Sequence, residues 1–500
     1  MPSNGRSPFH LMSDTNSLLL AGKHHHRHGR HAVVIGSGPN GLAAAIVLAQ
    51  AGYGIEVHEA QSTIGGGSRT LPLTLPGFLH DFGASIHAMA AGSPFFSSLP
   101  LHHHGLEWIH PDAPLAHPLD DGTAVTLERD LKHAEKALGR DGSRWRRLFE
   151  PLAANWKELA EETLQPLIHV PRHPFLLTRF GIPALMPARM FAGIFFKDAR
   201  TRALFSGIAA HSFLPLDAPL SSSGGIMLSA AAHAVGWPMA RGGSQSITNA
   251  LASILKELGG CIHTQSPIKA LDCFRRNTLF LCDISPRQLL AITGHRLNQN
   301  FQQSLQQFEL GPGTFKIDYA LSEPIPWKSP DCKRAGTVHL GGTFEEVAVA
   351  ERAVADGKHP ERPFMLLTQP TLFDPARAPE GKHIAWTYTH VPNGSDFNMT
   401  ERMEAQIERF APGFRDCILA RHISSPAILE SMDANLIGGD IGGGAMTLRQ
   451  TIFRPTRSNY ATSDPNIFLC SASTPGVGGV HGMCGYHAAR AALSEAKTPA

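Results

Sequence analysis

A few residues near the N-terminus limit what this chain can fold into. Ala32 to Ile35 is a short apolar strand, and Gly36, Gly38 and Gly41 follow at the spacing G-x-G-x-x-G, with Pro39 and Asn40 inside the turn. A helical stretch, Leu42 to Ala51, comes next, then a second strand, Ile55 to His58, ending at Glu59. Strand, glycine turn, helix, strand and acid is the order of a dinucleotide-binding Rossmann unit. Gly36 permits the tight turn, Gly38 lets the backbone approach a pyrophosphate, and Gly41 lets helix and strand pack closely. The helix start offers free N–H groups and a positive dipole end to phosphates. Glu59 is placed to accept hydrogen bonds from a ribose.

Two further glycine segments narrow the nucleotide. Directly after Glu59 comes Ile64-Gly-Gly-Gly-Ser-Arg-Thr70, with Gly66, Gly67, Ser68 and Arg69 at its centre. At the far end, the strand Asn466 to Cys470 leads into a glycine-rich loop holding Gly479, Val480, His481, Gly482 and Met483, and an alanine-rich helix follows to about Leu493. These segments resemble the double-glycine and C-terminal motifs of the flavoprotein family that holds amine oxidases and phytoene desaturases. The resemblance implies FAD as cofactor, with Arg69 near its phosphates and the C-terminal loop and helix start near the flavin ring. It extends over nearly the whole chain from residue 31, through Gly236 to Ser244, Leu279 to Pro286, Gly311 to Tyr319 and Pro324 to Trp327. Ile268 matches a contact with the adenine end, and the phytoene-dehydrogenase-like branch fits best. No C-x-x-C occurs, so a redox dithiol is not supported. No second G-x-G-x-x-G with suitable flanks marks a separate NAD(P)H domain.

The expected fold is α/β. A Rossmann-like FAD-binding domain is assembled from 31–95, 236–300 and 456–500, and an α+β substrate domain is inserted from 96–235 and 301–455. The first insertion reads as mostly helical. The second carries strand-like runs at Ala335 to Leu340, Phe364 to Thr368 and Ile384 to His390, then a helix over Thr400 to Phe410. Residues 1–30 read as a disordered leader, with His24, His25, His26 and His28 clustered but no core to order them as metal ligands. No metal site is expected. The start is open between Met1 and Met12.

A formal net charge of +2 gives no reason to expect nucleic acid. Seven scattered cysteines suit a reducing compartment. Cys470 and Cys484, flanking the C-terminal loop, read as small buried residues. The expected location is cytoplasmic, or the mitochondrial matrix if the source is eukaryotic. Residues 172–197 mix basic side chains with Phe175, Ile182, Phe191 and Phe196. Two readings stand for that stretch: peripheral contact with a membrane, or a helical cap on the protein, broken by Pro183 and Pro187. The oligomeric state is not legible.

Three side chains are candidates for chemistry. Lys316, in Phe315-Lys-Ile-Asp-Tyr319, matches by local pattern an amine-oxidase lysine that holds a water near the flavin; its other reading is a solvated strand lysine. His87 follows the double-glycine segment, and His481 sits inside the C-terminal loop; either could tune the flavin or accept a proton. With 28 histidines in the chain, structural roles compete for both. His211 and His233 are weaker candidates. Five tyrosines, with Tyr460 and Tyr486 near the C-terminal motif, give no obvious aromatic cage for an amine. The expected reaction is hydride removal from a C–H bond of an apolar small molecule, with electrons passed to oxygen or a quinone. The alternatives are a flavin amine oxidase and a flavin-bound regulatory or interaction protein with little turnover.

Overall fold

The computed structural model describes residues 30–275, 277–476 and 478–496. The histidine cluster at 24–28 and both candidate start methionines lie outside the described residues. The chain opens with β1 (His31–Ile35), α1 (Pro39–Gln50) and β2 (Gly54–His58). Strands β3 (Ala113–Pro118) and β4 (Ala124–Leu127) precede a helical stretch that includes α2 (Gly142–Ala154), α3 (Pro174–Leu185), α4 (Ala188–Phe195), α5 (Ala199–Ala209) and α6 (Ser222–Ala234). Next come α7 (Gln245–Glu257), β5 (Cys261–His263) and β6 (Leu279–Cys282). Strands β7 (Gly313–Leu321), β8 (Ala335–Leu340), β9 (Met365–Thr368) and β10 (His383–Val391) follow, then α8 (Thr400–Phe410) and β11 (Ile418–Ser424). The chain ends in β12 (Ile467–Leu469) and α9 (Met483–Glu495).

Two sheets organise these elements. The first is parallel, in the order β12-β6-β1-β2-β5. Its strands come from all three stretches expected to build the nucleotide domain. Chain order runs outward from β1 in one direction through β2 and β5, and in the other through β6 and β12. The crevice beyond the ends of β1 and β6 is therefore a topological switch point, where open α/β sheets bind ligands. Helix α1 lies so close to α9 that a Cβ on Gly485 would stand 1.8 Å from the Asn40 carbonyl oxygen.

The second sheet has the order β11-β7-β10-β9-β8-β3-β4, antiparallel except for the β8–β3 pair. Period-two alternation divides its faces. Phe315, Ile317, Tyr319 and Leu321 of β7 pack under Met403, Ile407 and Phe410 of α8. The intervening Thr314, Lys316 and Asp318 turn to the opposite face. The first insertion is mostly helical but also carries β3 and β4, which extend this sheet. Pro114 and Pro118 hid β3, because prolines argue against a strand with neighbours on both sides.

The helical part of that insertion is held by aromatic packing. Trp145, Phe149, Phe191, Phe196 and Phe205 are all buried, with ring centroids 4.4 Å apart for Trp145–Phe149 and 4.8 Å for Phe191–Phe205. Burying each such ring contributes roughly 1.5–3 kcal/mol. Pro187 stands between α3 and α4 and separates them, as its missing N–H requires.

Candidate functional site

A cavity of about 1050 Å³ runs from the switch point of the first sheet to the inner face of the second. At its nucleotide end the glycine turn is stitched across the crevice. The Gly36 N–H donates to the His58 carbonyl at 2.8 Å, and the Asp283 N–H donates to the Ile35 carbonyl at 2.8 Å. Gly36 has φ +96°, and a Cβ there would stand 2.7 Å from the Asp283 carbonyl oxygen, so the turn needs glycine. Glu59 is buried and fixed. Its Oε2 accepts from the Ser37 N–H at 3.0 Å and hydroxyl at 2.6 Å, and its Oε1 accepts from the Gln61 N–H at 2.9 Å. Arg69 donates from Nε to the Gly66 carbonyl at 2.8 Å and from Nη2 to the Met432 carbonyl at 2.7 Å.

Polar atoms here await a ligand. Asn40 Oδ1 and Ser68 Oγ are buried, find no partner among the described residues, and belong to residues that line the cavity. A Cβ on Gly67 would meet nothing within 4 Å, so the backbone there borders open space. These features fit a bound dinucleotide. Pro39, Gly38, Gly66 and Ile268 also line the cavity.

Asp283 was not singled out from the sequence, yet it is central. Its Oδ2 accepts the Gly41 N–H at 2.9 Å, so Gly41 is spent on the protein and does not line the cavity. Burial pushes the Asp283 carboxyl up to about 7, with the nearby Asp433 and Glu59 adding to the effect and the Gly41 hydrogen bond opposing it. A folded-state value above the ordinary 3.8 means that ionisation destabilises the fold, increasingly from pH 4 to pH 7. Asp283→Asn keeps an acceptor for Gly41 and should raise the denaturation midpoint at pH 8, with the gain vanishing near pH 4. An equal gain at both pH values would show that charge is not the cause. The only sequence signal was an acid closing the apolar run Leu279 to Cys282.

The C-terminal loop divides. Gly479 and Val480 line the cavity, but His481, Gly482 and Met483 lie behind its wall. His481 is fully buried, and its Nδ1 accepts the Met483 N–H at 3.0 Å at the start of α9. This corrects its candidacy for chemistry, because the side chain is committed to the helix start. Gly482 has φ +69° and faces Phe96.

The opposite wall is the inner face of the second sheet. Lys316 is buried, not solvated, and its Nζ bonds the Asp318 carboxylate, 5.5 Å from the centre of the Trp386 ring. Burial lowers the Lys316 ammonium, opposed by Asp318. Trp386 and Tyr388 stand side by side on β10, ring centroids 5.3 Å apart and edge to face, and both line the cavity. No spacing around the C-terminal motif points to this aromatic pair, which comes from a distant strand; Tyr460 is buried against the Pro475 carbonyl instead. Trp386 Nε1 and the hydroxyls of Thr314, Thr337 and Thr368 are buried on the same wall without partners among the described residues.

His87 also lines the cavity. The Ser244 hydroxyl bonds the Ala84 carbonyl, so it accepts from His87 Nε2–H at 2.8 Å. Nδ1 is then a buried acceptor with no partner among the described residues. Burial holds the imidazole down at about 4, opposed by Asp81, so it is neutral at pH 7. His211 lines the cavity and pairs with His339 at 3.1 Å between Nε2 atoms. His233 is structural: its Nε2 accepts from Trp145 Nε1–H at 2.8 Å.

A parallel nucleotide sheet joined through one cavity to an antiparallel substrate sheet is the architecture of a flavin-type oxidoreductase. Residues 34–98 match the family described as NAD(P)-binding Rossmann-like domain. The chain is 25% identical to mouse pyridine nucleotide-disulfide oxidoreductase domain-containing protein 2, over 93% of this chain and 94% of that protein. It is 25% identical to phytoene dehydrogenase from Streptomyces griseus, over 73% of each chain. The structure of a putrescine oxidase bound to putrescine superposes with a TM-score of 0.59 at 15% identity, covering 93% of this chain and 99% of that one, and this likeness shows the fold alone. The chain is thus similar in sequence to phytoene-dehydrogenase-like oxidoreductases.

Proposed function

We propose that the protein is an FAD-dependent dehydrogenase that removes hydride from a C–H bond of an apolar small molecule, creating a C=C or C=N bond, and passes the electrons to oxygen or a quinone. The carrying observation is one cavity that runs from the glycine turns to an apolar wall lined by Leu366, Trp386, Tyr388, Phe213 and Met227. Glu59 would hold the ribose, Arg69 and the α1 start the pyrophosphate, and Ile268 the adenine end. FAD would supply the hydride acceptor. The chain's own residues bind the substrate against that site, exclude water, and offer His87 Nδ1 or Lys316 to take a proton that leaves with the hydride. The visible spectrum tests the reading. A yellow protein that releases FAD on denaturation, and is bleached anaerobically by apolar substrates, supports it. A colourless protein that takes up no added FAD overturns it.

The membrane reading of 172–197 also stands as a proposal. Phe175 is 91% exposed and Ile182, Leu185, Met190 and Ile194 are exposed too, while Phe191 and Phe196 are buried in the protein. Leu177, Phe180 and Leu185 line the cavity, so this apolar rim borders its entrance. Arg172, Arg179 and Arg189 are exposed nearby. No helix among the described residues is long and apolar enough to cross a membrane. Phe175→Asp should reduce co-sedimentation with anionic phospholipid vesicles; unchanged co-sedimentation removes the rim from that role.

Amine oxidation is a second reading, favoured by the buried Lys316 beside the Trp386–Tyr388 pair. Lys316→Met should slow reoxidation by oxygen and leave anaerobic reduction nearly intact. Unchanged reoxidation removes Lys316 from that role.

A further inference from the structure

Beneath the cavity wall lies a file of polar groups that ends at the surface. Lys316 lines the cavity and its Nζ bonds Asp318 Oδ2. Asp318 Oδ1 is 3.6 Å from His80 Nδ1, and both atoms are buried with no hydrogen-bond partner among the described residues. His80 Nε2 is 2.8 Å from the Thr74 hydroxyl, and Thr74 is half-exposed. We propose that Lys316, Asp318, His80 and Thr74 form a path that carries protons between the cavity and solvent. The proposal rests on the dehydrogenase reading for its purpose, since a substrate that loses hydride and a proton leaves the proton at the buried inner wall of the cavity, where Lys316 lies.

The transfers balance. The Lys316 ammonium gives a proton to Asp318, and the free amine takes the one leaving the substrate. The Asp318 carboxylic acid rotates and gives its proton to His80 Nδ1. His80 Nε2 gives its proton to Thr74 Oγ, whose own hydroxyl proton passes to bulk water. His80 ends in its other tautomer and resets by a half-turn of its ring about the Cβ–Cγ bond, which carries the protonated nitrogen toward Thr74 and the bare one toward Asp318, with no proton returned. A small ring rotation closes the 3.6 Å gap, because neither atom has a competing bond to break.

The surroundings suit transfer at neutral pH. Burial raises the Asp318 carboxyl to about 6, opposed by Lys316, and Asp81 adds to the rise while Arg377 counters it. Burial holds His80 at about 3, with Lys316 and Arg377 lowering it further and Asp81 opposing them, so it conducts as a neutral ring. His422, opposite Asp318 on β11, is the remaining titratable group facing this cluster, and its Nε2 has no partner among the described residues.

The test uses the protein as purified and needs no substrate. The infrared band of the protonated Asp318 carboxyl is identified by its loss in Asp318→Asn, and its appearance is timed after a jump from pH 8 to pH 5. Thr74→Val removes only the outer hydroxyl from a half-exposed side chain. The path predicts that Thr74→Val slows the band by roughly 100-fold, the low end of what a positioned proton-transfer group contributes, and that Thr74→Ser restores it. An unchanged rate in Thr74→Val, or a band that does not respond to the jump, overturns the path. The visible spectrum of the same sample reads the flavin assignment separately, so the two can fail independently.

Discussion

Replacing Arg377 with methionine should destabilise the protein by about 3–5 kcal/mol at pH 7, the usual result of removing one partner of a buried ion pair. Arg377 and Asp81 are both almost fully buried, with Nη2 and Oδ2 3.1 Å apart. Arg377 also donates to the Leu79 carbonyl from Nε at 3.1 Å and from Nη2 at 2.9 Å. Burial pushes the Asp81 carboxyl upward, but Arg377, the Ser85 and Thr70 hydroxyls and the Ser244 N–H outweigh it and hold the group at about 2. A folded-state value below the ordinary 3.8 contributes stability above that pH, and the contribution is lost as pH falls through 2. The gap between wild type and Arg377→Met should therefore be widest above pH 4 and narrow toward pH 2, read as denaturation midpoints across pH. A gap that does not change with pH would assign the loss to packing alone. The effect reaches the site, because Asp81 ties Thr70, Ser85 and Ser244 together, and Ser244 orients His87.

Gly41→Ala should cost both stability and flavin retention. The new Cβ would stand 2.2 Å from the Gly36 carbonyl oxygen and 3.1 Å from Asp283 Oδ2. The first of these is backbone in the glycine turn itself. Helix α1 cannot back away, because its other side is pressed against α9 at Gly485. Overpacking of this kind costs about 1–3 kcal/mol, and relief would displace the helix start, where Pro39 and Asn40 line the cavity. Gly67→Ala is the paired control, since its Cβ points into open space. It should leave the denaturation midpoint of the flavin-free protein unchanged and weaken FAD binding. Equal flavin content in Gly67→Ala and wild type would place the cofactor elsewhere.

Much of the nucleotide half was legible because its determinants are local. Gly36, Gly38 and Gly41 sit within one turn, and Glu59 closes the next strand, so spacing alone carries the signal. Helix Thr400 to Phe410 and strand Ala335 to Leu340 were likewise readable from periodicity. The second sheet's β3 was not, because its two prolines argue against a strand and its pairing with β8 spans over two hundred residues of sequence.

The sequence by itself determined the Rossmann unit and the order of its segments. Tertiary structure alone decided which polar groups meet. Asp283 reaches the Gly41 N–H because β6 lands beside β1. Trp386 and Tyr388 meet Lys316 because β10 pairs with β7 in one register. His80 approaches Asp318 from a hairpin far away in the chain. His481, so suggestive in its glycine loop, was turned from the cavity to the start of α9 by a hydrogen bond that no spacing rule records. Local patterns specify backbone conformation, but the neighbours that set burial, pairing and pKa are chosen when distant segments pack.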